Sequence, residues 1–317
     1  MPVESGASVR VQRRKMESPW RKVIKAPPMP SDIDQNIKVE IINCRTWNRA
    51  SDVLMGIRGT YVFRGQGEDW PLETRLDRLC RPNLATEAET TLLSTFKAAA
   101  HLYQQNLPGD KDDLSWWSLM QHHGVPTRLL DWTASPLIAA FFAAEHRPLG
   151  HANRRFVVWA LDLDWLRKTA RKNCGLESDP PLSDPETFSK FFQGDFGFFV
   201  APVQPCWRNA RQVQQKGLFL CVGNPHQNFQ YNLSSMQRDI EGSRPSSLGY
   251  KITIPGSQRL AALGGLERLG IGRATLFPGL DGFAQSLTTQ LRLCQDDSLD
   301  ATWTWRALSR FKEFGFF

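Results

Sequence analysis

The run RFVVWALDL, Arg155 to Leu163, constrains the fold more than any other stretch of this chain. Its apolar residues follow one another almost without a break, whereas a strand with one wet face would alternate. So short an apolar run predicts a strand buried on both faces, in a sheet covered on each side. Other strand-like runs surround it: KVEIINCRTW (38–47), Tyr61 to Phe63, VPTRLLDWT (125–133), GFFVAPV (197–203), Leu218 to Val222 and YKITIP (250–255). They alternate irregularly with helical runs in one continuous core, which indicates an α+β or mixed α/β domain.

The helical runs carry their own signals. The segment after Ser51 reads as helical and ends near Gly56. TEAETTLLSTFKAAAHLYQQN opens on a threonine cap at Thr86 and continues with apolar residues at helical spacing. LSWWSLMQHH ends at Gly124, and Ser135-Pro136 starts the apolar helix PLIAAFFAAEH. GSQRLAALGGLERLG and a long helix after PGLDG close the domain. Residues 171–185 are polar and proline-rich and read as a loop or insertion. Residues 1–35 read as a flexible basic tail, 36–297 as the domain and 298–317 as a tail or docking helix. Nothing in these runs orders the strands.

Composition bounds the partners. Among 317 residues, 39 Lys and Arg against 32 Asp and Glu give a net charge of +7, which favours anionic partners. The six cysteines are scattered with no CxxC pair, so buried free thiols are expected and a structural zinc site is not. No apolar run approaches the ~20 residues of a membrane helix, and the first residues carry no secretory h-region. The expected compartment is the cytosol, with no membrane partner.

Four stretches concentrate polar chemistry. In YVFRGQ (61–66), Arg64 ends a buried apolar strand. A guanidinium there suits a phosphate or carboxylate gripped through two donors, or a core acid such as Asp131. Gly65 would let a ligand approach the backbone. In QHHGVPTRLLDWTASP (121–136), Thr127, Asp131, Thr133 and Ser135 crowd a turn before a helix N-terminus. That end is an anion site, or simply a capped helix. His122 and His123 are neighbours that point apart on a helix, so no metal is expected there. In RQVQQKGLF (211–219) the amides face a pocket or form a surface turn. In TLFPGLDG (275–282), Asp281 caps the last helix or lends a carboxylate to the site.

Together, FRGQ (63–66), QHHGVPTRLLDWTASPLIAAFFAA (121–144), QQKGLF (214–219) and TLFPGLDG (275–282) resemble the FRG domain family, named for its Phe/Tyr-Arg-Gly motif. The resemblance runs from about Tyr61 to Phe283. Similar sequences often have an acid where this one has Gly279, and 171–185 resembles an insertion.

The order of these motifs is similar to that of the arginine class of ADP-ribosyltransferases. Those enzymes carry Arg-Gly on a first core strand, a Ser/Thr-rich strand leading into an Ala/Phe-rich helix, and a later strand with an acid or glutamine. The resemblance implies a single α+β (mixed α/β) domain with a split central sheet flanked by helices, and NAD as substrate. It assigns NAD binding to Arg64, Gly65, Gln66, Thr127, Arg128, Asp131 and Trp132. It assigns catalysis to Arg64, Thr133, Ser135, Gln215 and Asp281, the last two standing in for a later-strand glutamate that is not evident.

These residue types suit the chemistry. Cleaving nicotinamide from ribose passes through an oxocarbenium-like state. An arginine grips the pyrophosphate, a hydroxyl orients the ribose, Trp132 or Trp70 stacks a ring, and a carboxylate faces the developing charge. The resemblance further implies a bacterial toxin or phage-defence effector acting on RNA, DNA or protein. A neutralising antitoxin would be sought at the apolar and basic C-terminal tail (Trp303, Trp305, Phe311, Phe314). The alternatives are a non-catalytic module that binds nucleotide or nucleic acid, and an NAD hydrolase that releases free ADP-ribose.

Overall fold

The computed structural model describes residues 37–145, 154–175, 182–192, 197–238 and 248–294. The expected tails, 1–35 and 298–317, lie outside the described residues, as do 176–181 of the expected insertion.

Seven strands and twelve α-helices occur among the described residues. In chain order they begin with β1 (Glu40–Asn43), α1 (Trp47–Gly56), β2 (Tyr61–Gln66), α2 (Arg75–Leu79), α3 (Ala85–Ala100) and α4 (Asp113–His122). Next come β3 (Leu129–Thr133), α5 (Pro136–Glu145), β4 (Arg155–Asp162), α6 (Leu163–Asn173) and α7 (Pro185–Phe192). The chain continues with β5 (Val200–Val203), α8 (Ala210–Gln214), β6 (Gly217–Val222), α9 (Phe229–Arg238) and β7 (Gly249–Pro255). It ends with α10 (Arg259–Arg268), α11 (Arg273–Leu276) and α12 (Leu280–Cys294). The strands form one mixed sheet in the order β1-β7-β4-β2-β3-β6-β5. Only β1 and β7 pair in parallel; every other neighbour is antiparallel.

The double burial expected for β4 is present. Phe156, Val158 and Ala160 enter one core, built with α1, α5 and α10. Val157, Trp159 and Leu161 enter the other, built with α4, α6, α7 and α9. Successive side chains of a strand point to opposite faces, so an unbroken apolar run needs a helix layer on each side.

α5 is apolar around its whole circumference, and Ile138, Ala139, Ala140, Phe141, Ala143 and Ala144 are all buried. Its alanines let it lie directly on β2. A Cβ at Gly65 would collide with the carbonyl oxygen of Ala139 and stand 2.6 Å from the Ala143 nitrogen. The Gly of the Arg-Gly pair is therefore required by helix–strand packing. At the far end of α5, buried Arg259 donates to the carbonyls of Ala143 (2.8 Å) and Ala144 (3.1 Å) and to that of Gly67. A cation at a helix C-terminus satisfies carbonyls that have no partner in the helix and opposes the negative end of its dipole.

Several boundaries differ from the sequence expectation. The first strand stops at Asn43, because Thr46 accepts the Arg49 N–H at 3.3 Å and starts α1 at Trp47. β2 continues through Gly65 to Gln66, since both residues pair with β4. Thr86 does not cap α3; its hydroxyl bonds His226 Nε2 at 3.1 Å. Residues 163–173, partly inside the expected loop, form α6. Its buried side is Leu163, Leu166, Thr169 and Ala170, at helical spacing behind an Asp162 cap.

Candidate functional site

The sheet splits between β2 and β3. β2 pairs with β4 along its whole length, Tyr61 to Gln66, and β3 pairs with β6 from Leu129 to Thr133. β2 and β3 meet only at Phe63 opposite Thr133. Beyond that pair they part, and a cleft of about 690 Å³ opens between them. Its walls are Arg64 to Gln66 from β2 with the following Gly67, Asp131 to Thr133 from β3, and the end of α4 at Gln121 and His122. The loop and helix with Trp70, Glu73 and Arg78, Arg211 on α8, and Gln215 just after that helix also line it.

Arg64 stands at the split. Its Nη1 donates to the backbone carbonyl of Asp131 across the parted strands at 2.7 Å. Its Nε is buried and has no hydrogen-bond partner. Burial lowers its pKa, the nearby Asp131 pushes it back up, and the neighbouring Arg78 lowers it again. An arginine remains protonated under such a shift, so the site holds a partly desolvated cation.

Asp131 is exposed and lines the cleft. One carboxylate oxygen accepts Gln121 Nε2 at 2.7 Å. Gln121 Oε1 accepts the hydroxyl of buried Thr127 at 2.6 Å. On the opposite wall, Arg211 packs over the Phe277 ring at 4.4 Å, and Arg273 packs over the same ring at 4.3 Å. Arg273 is paired with Glu145 at 2.6 Å. Burial lowers the pKa of Arg211, Asp131 raises it and Arg273 lowers it. At the rim, partial burial, then His123 and Arg211, hold His122 below the ordinary imidazole value.

Of the residues singled out in the sequence, the cleft brings together Arg64, Gly65, Gln66, Asp131, Trp132, Thr133 and Gln215. Their roles differ. Gln66 accepts Trp159 Nε1 at 2.7 Å and donates to the Pro71 carbonyl at 3.2 Å, which folds the loop carrying Trp70. Trp132 is 3% exposed and belongs to the core beneath the cleft, so half-buried Trp70 is the more accessible ring. Thr133 donates to the Gln215 carbonyl at 2.7 Å and accepts the Ser135 N–H at 3.1 Å. Gln215 Nε2 donates to the Leu276 carbonyl at 3.0 Å.

Thr127, Arg128, Ser135 and Asp281 do not line it. Arg128 is buried against Glu89, with Nε 2.7 Å from Oε2, donates to the Gly223 carbonyl at 3.2 Å and lies over Trp117 at 5.0 Å. Ser135 accepts the Ile138 N–H at 3.4 Å as the cap of α5. Asp281 is exposed in the first turn of α12. Sequence reasoning missed Glu73 and Arg78. The signal for them was the capping box in T-R-L-D, where Thr74 and Asp77 satisfy each other's backbone N–H groups (2.7 and 3.0 Å) and set α2 beside the cleft.

Among the described residues, no cluster of three or more His, Cys, Asp and Glu could hold a metal ion, and no helix is long and apolar enough to cross a membrane. The fold and site thus define a mixed α/β protein with an arginine-bearing cleft at a split in its sheet. Residues 59–150, from the approach to β2 through α5, match the family model of the FRG domain. Arg64 and Asp131 fall inside the match, while Arg211 and Gln215 are supplied by chain beyond it. No curated protein and no solved structure matches the chain.

Proposed function

We propose that the cleft binds a pyrophosphate-bearing nucleotide, with NAD as its substrate, and transfers the ADP-ribose portion to an acceptor. The observation that carries this reading is Arg64. Its guanidinium stands half-buried at the split, one donor is taken by a neutral carbonyl, and the buried Nε has no partner. A partly desolvated cation in that condition gains most from an anionic ligand that supplies acceptors. Arg211 adds positive charge on the opposite wall, and Trp70 offers a ring for stacking. The volume lies within the range of sites that enclose a cofactor-sized ligand.

In the reaction, the bond between nicotinamide nitrogen and ribose C1′ breaks. Its electron pair stays with nicotinamide, which leaves neutral. The acceptor's lone pair forms the new bond to C1′, and the acceptor's proton passes to solvent. Water as acceptor yields free ADP-ribose.

The test is to incubate wild type and Arg64→Ala with adenine-labelled NAD and total cell lysate, with and without nuclease. Label should move to a macromolecule, or to free ADP-ribose, in wild type and not in the variant. Nuclease-sensitive label identifies a nucleic-acid acceptor and nuclease-resistant label a protein. Equal turnover by Arg64→Ala, or a wild type that binds neither NAD nor ADP-ribose, overturns the proposal.

A further inference from the structure

We infer that Asp131 supplies the carboxylate that faces the developing positive charge, and that Gln121 and Thr127 are the positioning residues that hold it. The inference rests on the reading of the cleft as an NAD site and deepens it, because neither Gln215 nor Asp281 fills that role. Gln215 carries no charge and its amide is bonded to the Leu276 carbonyl, and Asp281 lies outside the cleft.

Two carboxylates line the cleft, Glu73 and Asp131. Asp131 is the one at the split. Arg64 and Arg211, on facing walls, both feel its charge. Arg64 gives its hydrogen bond to the Asp131 backbone carbonyl, not to the carboxylate. The carboxylate instead takes a neutral donor, Gln121 Nε2, at 2.7 Å. A neutral donor orients the group and leaves its negative charge in place, which a bidentate arginine would largely cancel.

The orientation of that donor is determined by Thr127, further along the chain. Thr127 has one hydroxyl proton and is buried. The proton goes to Gln121 Oε1 at 2.6 Å, and the same hydroxyl accepts the Leu129 N–H at 3.3 Å. With its oxygen on Thr127, the Gln121 amide can only turn its NH₂ to Asp131. Asp131 lies on β3 and Thr127 two residues before its start, so one short stretch of chain carries both the carboxylate and the residue that aims its support. When the C1′–nitrogen bond breaks, positive charge spreads over C1′ and the ring oxygen, and a fixed carboxylate stabilises that state more than the ground state.

The experiment measures nicotinamide release from NAD and, separately, the Kd for ADP-ribose, which lacks the bond that breaks. Asp131→Asn keeps the shape and removes the charge. It should lower kcat on the order of 10²–10³-fold while leaving the ADP-ribose Kd within about twofold. Gln121→Ala and Thr127→Val should each lower kcat by about tenfold or more with the same Kd, since only the aim of the carboxylate is lost. Thr127→Ser, which keeps the hydroxyl, should restore the rate that Thr127→Val loses. Should Thr127→Val fail to fold, Gln121→Ala decides the positioning role. Wild-type kcat in Asp131→Asn overturns the inference, and so does a wild type that binds ADP-ribose but releases no nicotinamide; nucleotide binding then stands. A wild type that does not bind ADP-ribose overturns the reading beneath it.

Discussion

Arg64 and Arg128 look alike in the sequence, each beside a short apolar strand, and the structure gives them opposite circumstances. The side chains of Arg128 and its partner Glu89 are 3% and 4% exposed, and a backbone carbonyl and a tryptophan ring complete the shell around the guanidinium. Removing one member of such a pair leaves the other charge buried and unpaired, at a cost of about 3–5 kcal/mol. Arg128→Ala should therefore shift the urea unfolding midpoint strongly downward, with the slope unchanged. Arg64→Ala removes a half-buried cation whose hydrogen bond goes to a neutral carbonyl, so it should leave the midpoint much closer to wild type. Equal shifts in the two variants would show that Arg64 is as structural as Arg128. The difference was not legible from local sequence. Glu89 is separated from Arg128 by 39 residues, and no pattern announces that α3 packs over the start of β3.

At the scale of elements, legibility followed how much of an element's signal is local. β4 and α5 were evident because each is apolar nearly all round, and the cap Ser135 and Pro136 mark where α5 starts. α9 was missed. Its apolar residues Phe229, Leu233 and Met236 are buried at helical spacing, but polar residues interrupt them too often for the sequence pattern to stand out. α6 was also missed, because the polar character of its outer side hides the buried positions Leu163, Leu166, Thr169 and Ala170. For the site, the Arg-Gly strand and the stretch from Gln121 to Pro136 were legible, whereas the cleft between them depends on where β2 and β3 part. Gly65 illustrates the limit, since its close packing against α5 could not be read from the Arg-Gly motif. Gly65→Ala drives a methyl group into the backbone of Ala139 and Ala143, which no rotamer change can relieve. It should cost about 3 kcal/mol, the upper part of the range for overpacked cores. Denaturant titration checks it, and a loss below 1 kcal/mol would mean that α5 can slide on the sheet.

Across the whole molecule, the single pair Phe63–Thr133 and the bond from Arg64 to the Asp131 carbonyl join two parts of one sheet, β1-β7-β4-β2 and β3-β6-β5. The cleft is the place where that joint is left incomplete. Arg64 belongs to one part, while Arg211 sits on α8, which leads directly into β6 of the other. A ligand held by both would bridge the parts, so its binding energy should appear as stability of the whole fold. At a ligand concentration of 100 times Kd, linkage adds about 2.7 kcal/mol to the free energy of unfolding. ADP-ribose at that level should raise the unfolding midpoint of wild type, and the same concentration should do far less for Arg64→Ala. Hydrogen exchange locates the bridge. Amides of β2 should slow together with those of β3 and α8, because local opening at the split would then have to break contacts on both sides. Slowing confined to β2 would mean that the ligand lies on one wall, with Arg211 outside its reach.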